Sequence, residues 1–357
     1  ALETGEVLPV VEVAYQTFGN LSPAKDNVFL ILHGITGSSH VAGKYAWTNR
    51  STGYWDGLVG PGKAIDTNRW FVVAPNILGG CRGSTGPSST NPATGRAYGN
   101  QFPEITIRDM VRAQERFLRE CFGVERVAAV AGGSMGGMQA LEWAVLFPDR
   151  VDNIIPIATA ARTNMRAIAF NTCARRAIRL DPRWKGGDYY DSPDGSPDSG
   201  LALARMIGTI TYLSDPLLEE RFGRIESRLE SASQHERHAR PDVEQFLFEE
   251  GDKLVARFDA NSYITLSRAM DMHDVSRGYP SLADALNRIE ARCLLIGITS
   301  DDLFPIRQTD EIVEILREHG NLDFQTHIVE SHYGHDAFLV EWRKMAGPIR
   351  TFLAGAR

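Results

Sequence analysis

Ser134 stands in the run Ala131-Gly132-Gly133-Ser134-Met135-Gly136-Gly137, which fits the pattern G-x-S-x-G. A serine hydroxyl is a weak nucleophile until a neighbouring base takes its proton and an acid orients that base. The apolar run 126–133 precedes this serine, and an apolar helical pattern from Met138 to Phe147 follows it. A buried strand turning sharply into a helix is the context in which such a serine is lifted clear of a sheet. Small neighbours permit close backbone approach around a strained turn. The same turn places the Met135 N–H at a helix N-terminus, where it can bind developing negative charge. Glycines so arranged could also cradle a phosphate or form a plain structural turn. No G-x-G-x-x-G and no G-K-[ST] is present, so the dinucleotide and phosphate-loop readings fail.

In this kind of fold the partners should follow in the order Ser, Asp, His. "GITSDDLFP" offers Asp301 and Asp302 just past an apolar run. "SHYGHDAFL", after the alternating run "DFQTHIVE", offers His332 and His335. Of the nine histidines, only these two and His33 sit at the ends of strand-like runs. His33 opens "HGITG", where it can support a loop whose Ile35 N–H is the second donor to an oxyanion. His332 and His335 could be taken for metal ligands, but no third ligand of suitable spacing accompanies them, and no metal is expected. Cys81, Cys121, Cys173 and Cys293 are far apart and show no C-x-x-C spacing, so they are expected to be reduced and structural.

The elements that must position these groups recur along the chain. "NVFLILHG", "RWFVVAPN", "RVAAVAGG", "VDNIIPIA" and "RCLLIGI" are continuous apolar runs without alternation, as suits strands buried on both faces of a mostly parallel sheet. The opening "PVVEVAYQTFG" alternates, with Val11, Val13 and Tyr15 on one side, and reads as a half-exposed antiparallel strand. Residues 106–123 follow a helical pattern that starts at a capping Thr and stops at Gly123. From 162 to 280 the strand pattern gives way to helices, which predicts a cap over the carboxyl edge of the sheet, where open α/β sheets bind ligands. The expected organisation is therefore a core over 1–161 and 281–357, interrupted by a helical cap over 162–280. Within the cap, 185–200 reads as a loop, and the charge-dense 224–241 as a solvated helix or loop.

The chain has 357 residues, 43% hydrophobic and 23% charged, with a net charge of -7. An acidic protein is not attracted to nucleic acid or to an anionic membrane surface, which leaves small molecules as the expected partners. No apolar run reaches the roughly 18 residues a membrane helix needs. The beginning of the sequence lacks the basic and apolar regions of a signal peptide, so a cytoplasmic location is expected.

Longer stretches, in one order, resemble the homoserine O-acyltransferases of methionine biosynthesis, a branch of the α/β-hydrolase superfamily. They include "LHGITGSSH", "GGCRGSTGPSSTNPATGRAYG", "GGSMGGMQALEWA", "GLALARMIGTITYLSD", "RFDANSYITLSRAMD", "SDDLFP" and "YGHDAFL". The resemblance implies an α/β-hydrolase fold with an inserted helical cap, Ser134 as nucleophile, His335 as base and Asp301 as the acid that orients it. It implies acetyl-CoA as donor, used as a co-substrate with no resident cofactor, and L-homoserine as acceptor, acylated by double displacement. Homoserine is a zwitterion and needs a cation and an anion. The resemblance assigns its carboxylate to Arg205, accompanied by Tyr212, and its ammonium to Asp336. Read without it, Arg205 suits a helix surface and Asp336 suits a helix cap. Thr209 stands where many members carry histidine, and "HGITG" replaces the commoner "HALTG". A succinyl donor would need a further cation, for which Arg82 and Arg162 are candidates. A serine acceptor, or water as in an esterase, would use the same three groups. The family also implies a homodimer formed through the cap.

Overall fold

The computed structural model describes residues 1–44, 51–223, 242–318 and 323–355. The apolar runs form β2 (Val28–Leu32), β3 (Phe71–Pro75), β4 (Ala129–Gly133), β5 (Asn153–Ile157) and β6 (Arg292–Ile298). They are flanked by β1 (Tyr15–Phe18) and β7 (Phe324–Val329). The seven make one sheet in the order β1-β3-β2-β4-β5-β6-β7. Only the β1–β3 pairing is antiparallel. Double-sided burial explains the missing alternation: along β2, Val28, Leu30 and Leu32 enter one apolar cluster while Phe29 and Ile31 enter another.

The opening strand starts later than its alternation predicts, at Tyr15 instead of Val11. Before Tyr15 the chain pairs with a loop, and hydroxyls replace carbonyls as acceptors. Glu12 N–H donates to Thr85 Oγ1 at 2.8 Å and Ala14 N–H to Ser84 Oγ at 3.0 Å.

Helix α1 (Ile107–Phe117) begins at Thr106, which exchanges capping bonds with Asp109, and it ends through a π-helical turn closed by the left-handed Gly123. Helix α2 (Met135–Leu146) follows β4 directly. Between β5 and β6 come α3 (Met165–Leu180), α4 (Asp198–Tyr212), α5 (Asp215–Phe222), α6 (Asp242–Val255) and α7 (Ala260–Asp271). After β6 come α8 (Ile306–Glu318) and α9 (Trp342–Ala354). A third apolar cluster joins Ile35, Met135 and Met138, at the carboxyl edge of the sheet, to Ala167, Ile178, Leu201 and Tyr263 of the inserted helices. The charge-dense segment 224–241 lies outside the described residues.

Helix α2 is locked from below by a buried ion pair. Arg108 Nε donates to Glu142 Oε2 at 2.9 Å, and the same guanidinium donates to Val275 O at 2.9 Å and Arg277 O at 2.6 Å on the returning chain. Burial raises the Glu142 carboxyl to about 7 against the pull of Arg108. His273 Nδ1 lies 3.8 Å from Glu142, its Nε2 donates to Ala160 O at 3.0 Å, and burial lowers its pKa to about 4. No helix among the described residues is long and apolar enough to cross a membrane. The four cysteines are free; Cys293 is buried in the core and Cys81 packs half-buried against the third apolar cluster, whereas Cys121 and Cys173 are exposed, so a packing role does not extend to those two.

Candidate active site

Ser134 sits between β4 and α2 with φ 58° and ψ -124°, a conformation that residues with a Cβ rarely adopt. Its neighbours hold it there. Its N–H donates to Ile157 O at 2.9 Å, and its carbonyl accepts from Gly137 N, Met138 N and Thr159 Oγ1. The surrounding glycines answer to contact. A Cβ on Gly136 would stand 2.1 Å from Leu32 O, one on Gly132 would stand 2.4 Å from Gly136 C, and one on Gly133 would stand 2.2 Å from the Phe338 ring. The first turn of α2 is thereby pressed onto β2 and β4, with the serine at the crest.

Of the two candidate acids, Asp301 is buried and Asp302 is exposed. Asp301 Oδ1 accepts from Leu303 N at 2.9 Å and Phe304 N at 2.8 Å, and its Oδ2 lies 2.6 Å from His335 Nδ1. Of the two candidate bases, His335 is buried among Phe304, Phe338 and Tyr212, while His332 is exposed and lies 3.2 Å from Glu220. Burial opposes charge on the His335 ring, but the Asp301 carboxylate and hydrogen bond, aided by Asp336, outweigh it and hold its pKa above the ordinary histidine value. Its Nε2 is buried without a hydrogen bond. Ser134 and His335 line one cavity of about 320 Å³, within the size range of small-molecule sites.

Of the two residues named as oxyanion donors, Ile35 lines the same cavity and Met135 directly follows Ser134. Met135 is the first residue of α2, so its N–H has no intrahelical partner. The Ile35 N–H is aimed by its own peptide plane. Gly34 O accepts from His33 Nδ1 at 2.8 Å and from Gly37 N at 3.0 Å, which fixes the oxygen, and a planar peptide then fixes the N–H on its opposite side. Ile77 N donates to His33 Nε2 at 3.3 Å, and burial lowers His33 to about 4, so the ring is the neutral tautomer that this arrangement needs.

Arg205 and Tyr212 on α4, and Asp336 beside His335, line the same cavity. The Arg205 guanidinium carbon lies 5.4 Å from the Tyr212 ring centre, its Nη2 donates to Glu250 Oε2 at 3.0 Å, and its Nε is buried without a partner. Burial pushes the Asp336 carboxyl up, and His335 and Arg205 offset this only in part. Arg82 and Arg162 do not line the cavity, and Arg162 pairs with Glu311. Arg257 does line it, bonded to Thr36 O at 2.7 Å. Arg257, Thr159 and Glu250 were not singled out in the sequence. Each meets its partner across a long separation in chain, and no local spacing signals that meeting. Among the described residues no group of three His, Cys, Asp or Glu side chains could hold a metal ion.

Residues 27–341 match the family model of the alpha/beta hydrolase fold. The chain is 48% identical over 352 residues to a homoserine O-acetyltransferase of Carboxydothermus hydrogenoformans, covering 99% of this chain and 92% of the relative. Among solved structures, homoserine O-acetyltransferase from Bacillus anthracis superposes with a TM-score of 0.89 at 33% identity, over 99% of this chain and 94% of that one. Esterase E22 also superposes at 0.89, with 31% identity over 99% and 96% of the two chains.

Proposed function

Because the chain belongs to the α/β-hydrolase fold family and, within it, to the homoserine O-acetyltransferases, we propose that it moves an acetyl group from acetyl-CoA to the side-chain hydroxyl of L-homoserine through an acyl-Ser134 intermediate. The observation that carries this reading is the cavity itself: Ser134 and His335 share it with a cation, Arg205, and an anion, Asp336, as a zwitterionic acceptor requires.

In the first half-reaction Ser134 Oγ attacks the thioester carbonyl and its proton passes to His335 Nε2. The Ile35 and Met135 N–H groups bind the oxyanion. Collapse breaks the C–S bond, and His335 returns the proton to the leaving thiolate. In the second half, His335 takes the proton of the homoserine hydroxyl, whose oxygen attacks the acyl-serine carbonyl. The C–O bond to Ser134 then breaks, the serine recovers its proton, and O-acetylhomoserine leaves. Asp301 holds the imidazole with its proton on Nδ1 throughout. Such a product belongs to a methionine-forming pathway and a cytoplasmic enzyme. Leu203 and Ile210, seven residues apart and exposed on α4, support a homodimer formed through the cap helices.

The acetyl donor follows the names of the relatives. The esterase likeness favours a second reading, in which water replaces homoserine. Thiol release from acetyl-CoA separates the two. The transferase reading expects one CoA released per active site without homoserine, with acetylation of Ser134, and sustained turnover only when homoserine is added. Sustained turnover without any amino-acid acceptor would refute it.

A further inference from the structure

Arg205 and Asp336 line one cavity with opposite charges, yet they do not pair. Among the described residues the Asp336 carboxylate makes no hydrogen bond or ion pair, while Arg205 turns its Nη2 to Glu250 Oε2 at 3.0 Å. The Arg205 side chain is 15% exposed, and at such burial a lone guanidinium and a lone carboxylate attract each other strongly. We infer that Glu250 is a positioning residue that holds Arg205 off Asp336, so that the empty site keeps a separate cation for the acceptor's carboxylate and a separate anion for its ammonium. This inference rests on the proposed reading of Arg205 and Asp336.

The geometry around Glu250 suits the task. It lies on α6, facing α4, and its second oxygen, Oε1, accepts from Lys253 Nζ at 2.9 Å. Both oxygens are thus engaged, and the carboxylate is fixed from two sides. Lys253 also offsets the negative charge that would otherwise repel an approaching acceptor carboxylate. A guanidinium has five N–H donors in a planar fork, so one bond to Glu250 leaves others for substrate. The buried, unpartnered Nε is one of them. With homoserine bound, the charges alternate in one line: Lys253, Glu250, Arg205, the substrate carboxylate, the substrate ammonium, Asp336. Without Glu250, Arg205 is free to close on Asp336, and a substrate must then break that pair to enter. Forty-five residues separate Arg205 from Glu250, and no sequence period links them.

The test uses two acceptors with acetyl-CoA as donor: homoserine, and 3-aminopropan-1-ol, which keeps the hydroxyl and ammonium but lacks the carboxylate. Glu250→Ala is expected to lower kcat/KM for both by roughly tenfold, the scale of one charge-assisted hydrogen bond, with the KM for acetyl-CoA changed less than twofold. Glu250→Gln, which keeps an acceptor for Nη2, should recover most of the loss. Adding Arg205→Ala to Glu250→Ala should restore kcat/KM for 3-aminopropan-1-ol, since no guanidinium is left to close on Asp336, while homoserine stays poor. A double variant no better than Glu250→Ala with 3-aminopropan-1-ol, or Glu250→Ala equal to wild type, would overturn the inference. Wild-type enzyme that uses homoserine no better than 3-aminopropan-1-ol would instead overturn the reading of Arg205 itself.

Discussion

Replacing Asp301 by Asn tests the orientation of His335 at nearly constant shape. Asp301 Oδ1 is committed to the N–H groups of Leu303 and Phe304, so the amide oxygen of an Asn must take that place. Its NH2 group then faces His335 Nδ1, which lies 2.6 Å from the oxygen it replaces. Two donors cannot bond each other, so Nδ1 must become an acceptor and the ring proton moves to Nε2. The base is then protonated on the nitrogen that should receive the serine proton. The variant loses a charge-assisted bond of about 1.5–3 kcal/mol, and the imidazolium formed during reaction loses its counter-charge. Together with the tautomer reversal this amounts to about 4–5.5 kcal/mol, or roughly a thousand- to ten-thousand-fold in kcat/KM. The assay is thiol release with acetyl-CoA and homoserine, alongside a thermal melt, which should change little because both backbone bonds remain. The pH profile adds a sign. Wild-type kcat/KM requires neutral His335 and should fall as pH drops through its raised pKa, giving an acid limb above pH 6.5. Without the Asp301 charge, burial dominates and the limb of the residual activity should move to lower pH. An Asn variant within tenfold of wild type, or an unmoved limb, would refute this account of Asp301.

Arg205→Ala should raise the KM for homoserine by more than tenfold while moving that for acetyl-CoA less than twofold, a split read from initial rates. Gly136→Ala puts a Cβ 2.1 Å from the Leu32 carbonyl, a strand backbone that cannot step aside, and should lower stability by about 3 kcal/mol in urea titrations. His273, lowered to about 4 by burial, binds its proton more weakly in the folded chain than in the unfolded one. Its share of stability is therefore present above pH 6.5 and lost as pH falls toward 4. His273→Gln should flatten the loss by about 1.4 kcal/mol per pH unit across that window, as measured by denaturation at several pH values.

The sheet was legible because its central strands are buried on both faces and therefore read as unbroken apolar runs, as in Val28–Leu32 and Ala129–Gly133. The elbow was legible because close backbone contact admits only glycine at Gly132 and Gly136, and that demand leaves a mark in sequence. Resolving Asp301 from Asp302, or His332 from His335, requires knowing which way a side chain leaves a strand end, and the residues alone left both pairs open. Alternation does not mark the start of β1, because it continues into a segment whose amides bond to Ser84 and Thr85 hydroxyls. Thr159, Arg257 and Glu250 carry no local signature at all. Each is an ordinary surface-type residue until folding brings its partner alongside.

The position of the helical insertion also governs how the chain can fold. β5 ends at Ile157, and its sheet neighbour β6 does not begin until Arg292. While the chain emerges from the ribosome, β5 can pair with β4 as soon as both are out, but its other edge must wait for the whole insertion to be made. That waiting edge carries Asn-Ile-Ile-Pro-Ile, all of it buried in the finished fold. An apolar strand with one unpaired edge is a template for pairing with another chain, so this interval is when the nascent protein is most exposed to aggregation. Pro156 sits within that strand and removes one backbone donor from the open edge, a local defence at the place where exposure lasts longest.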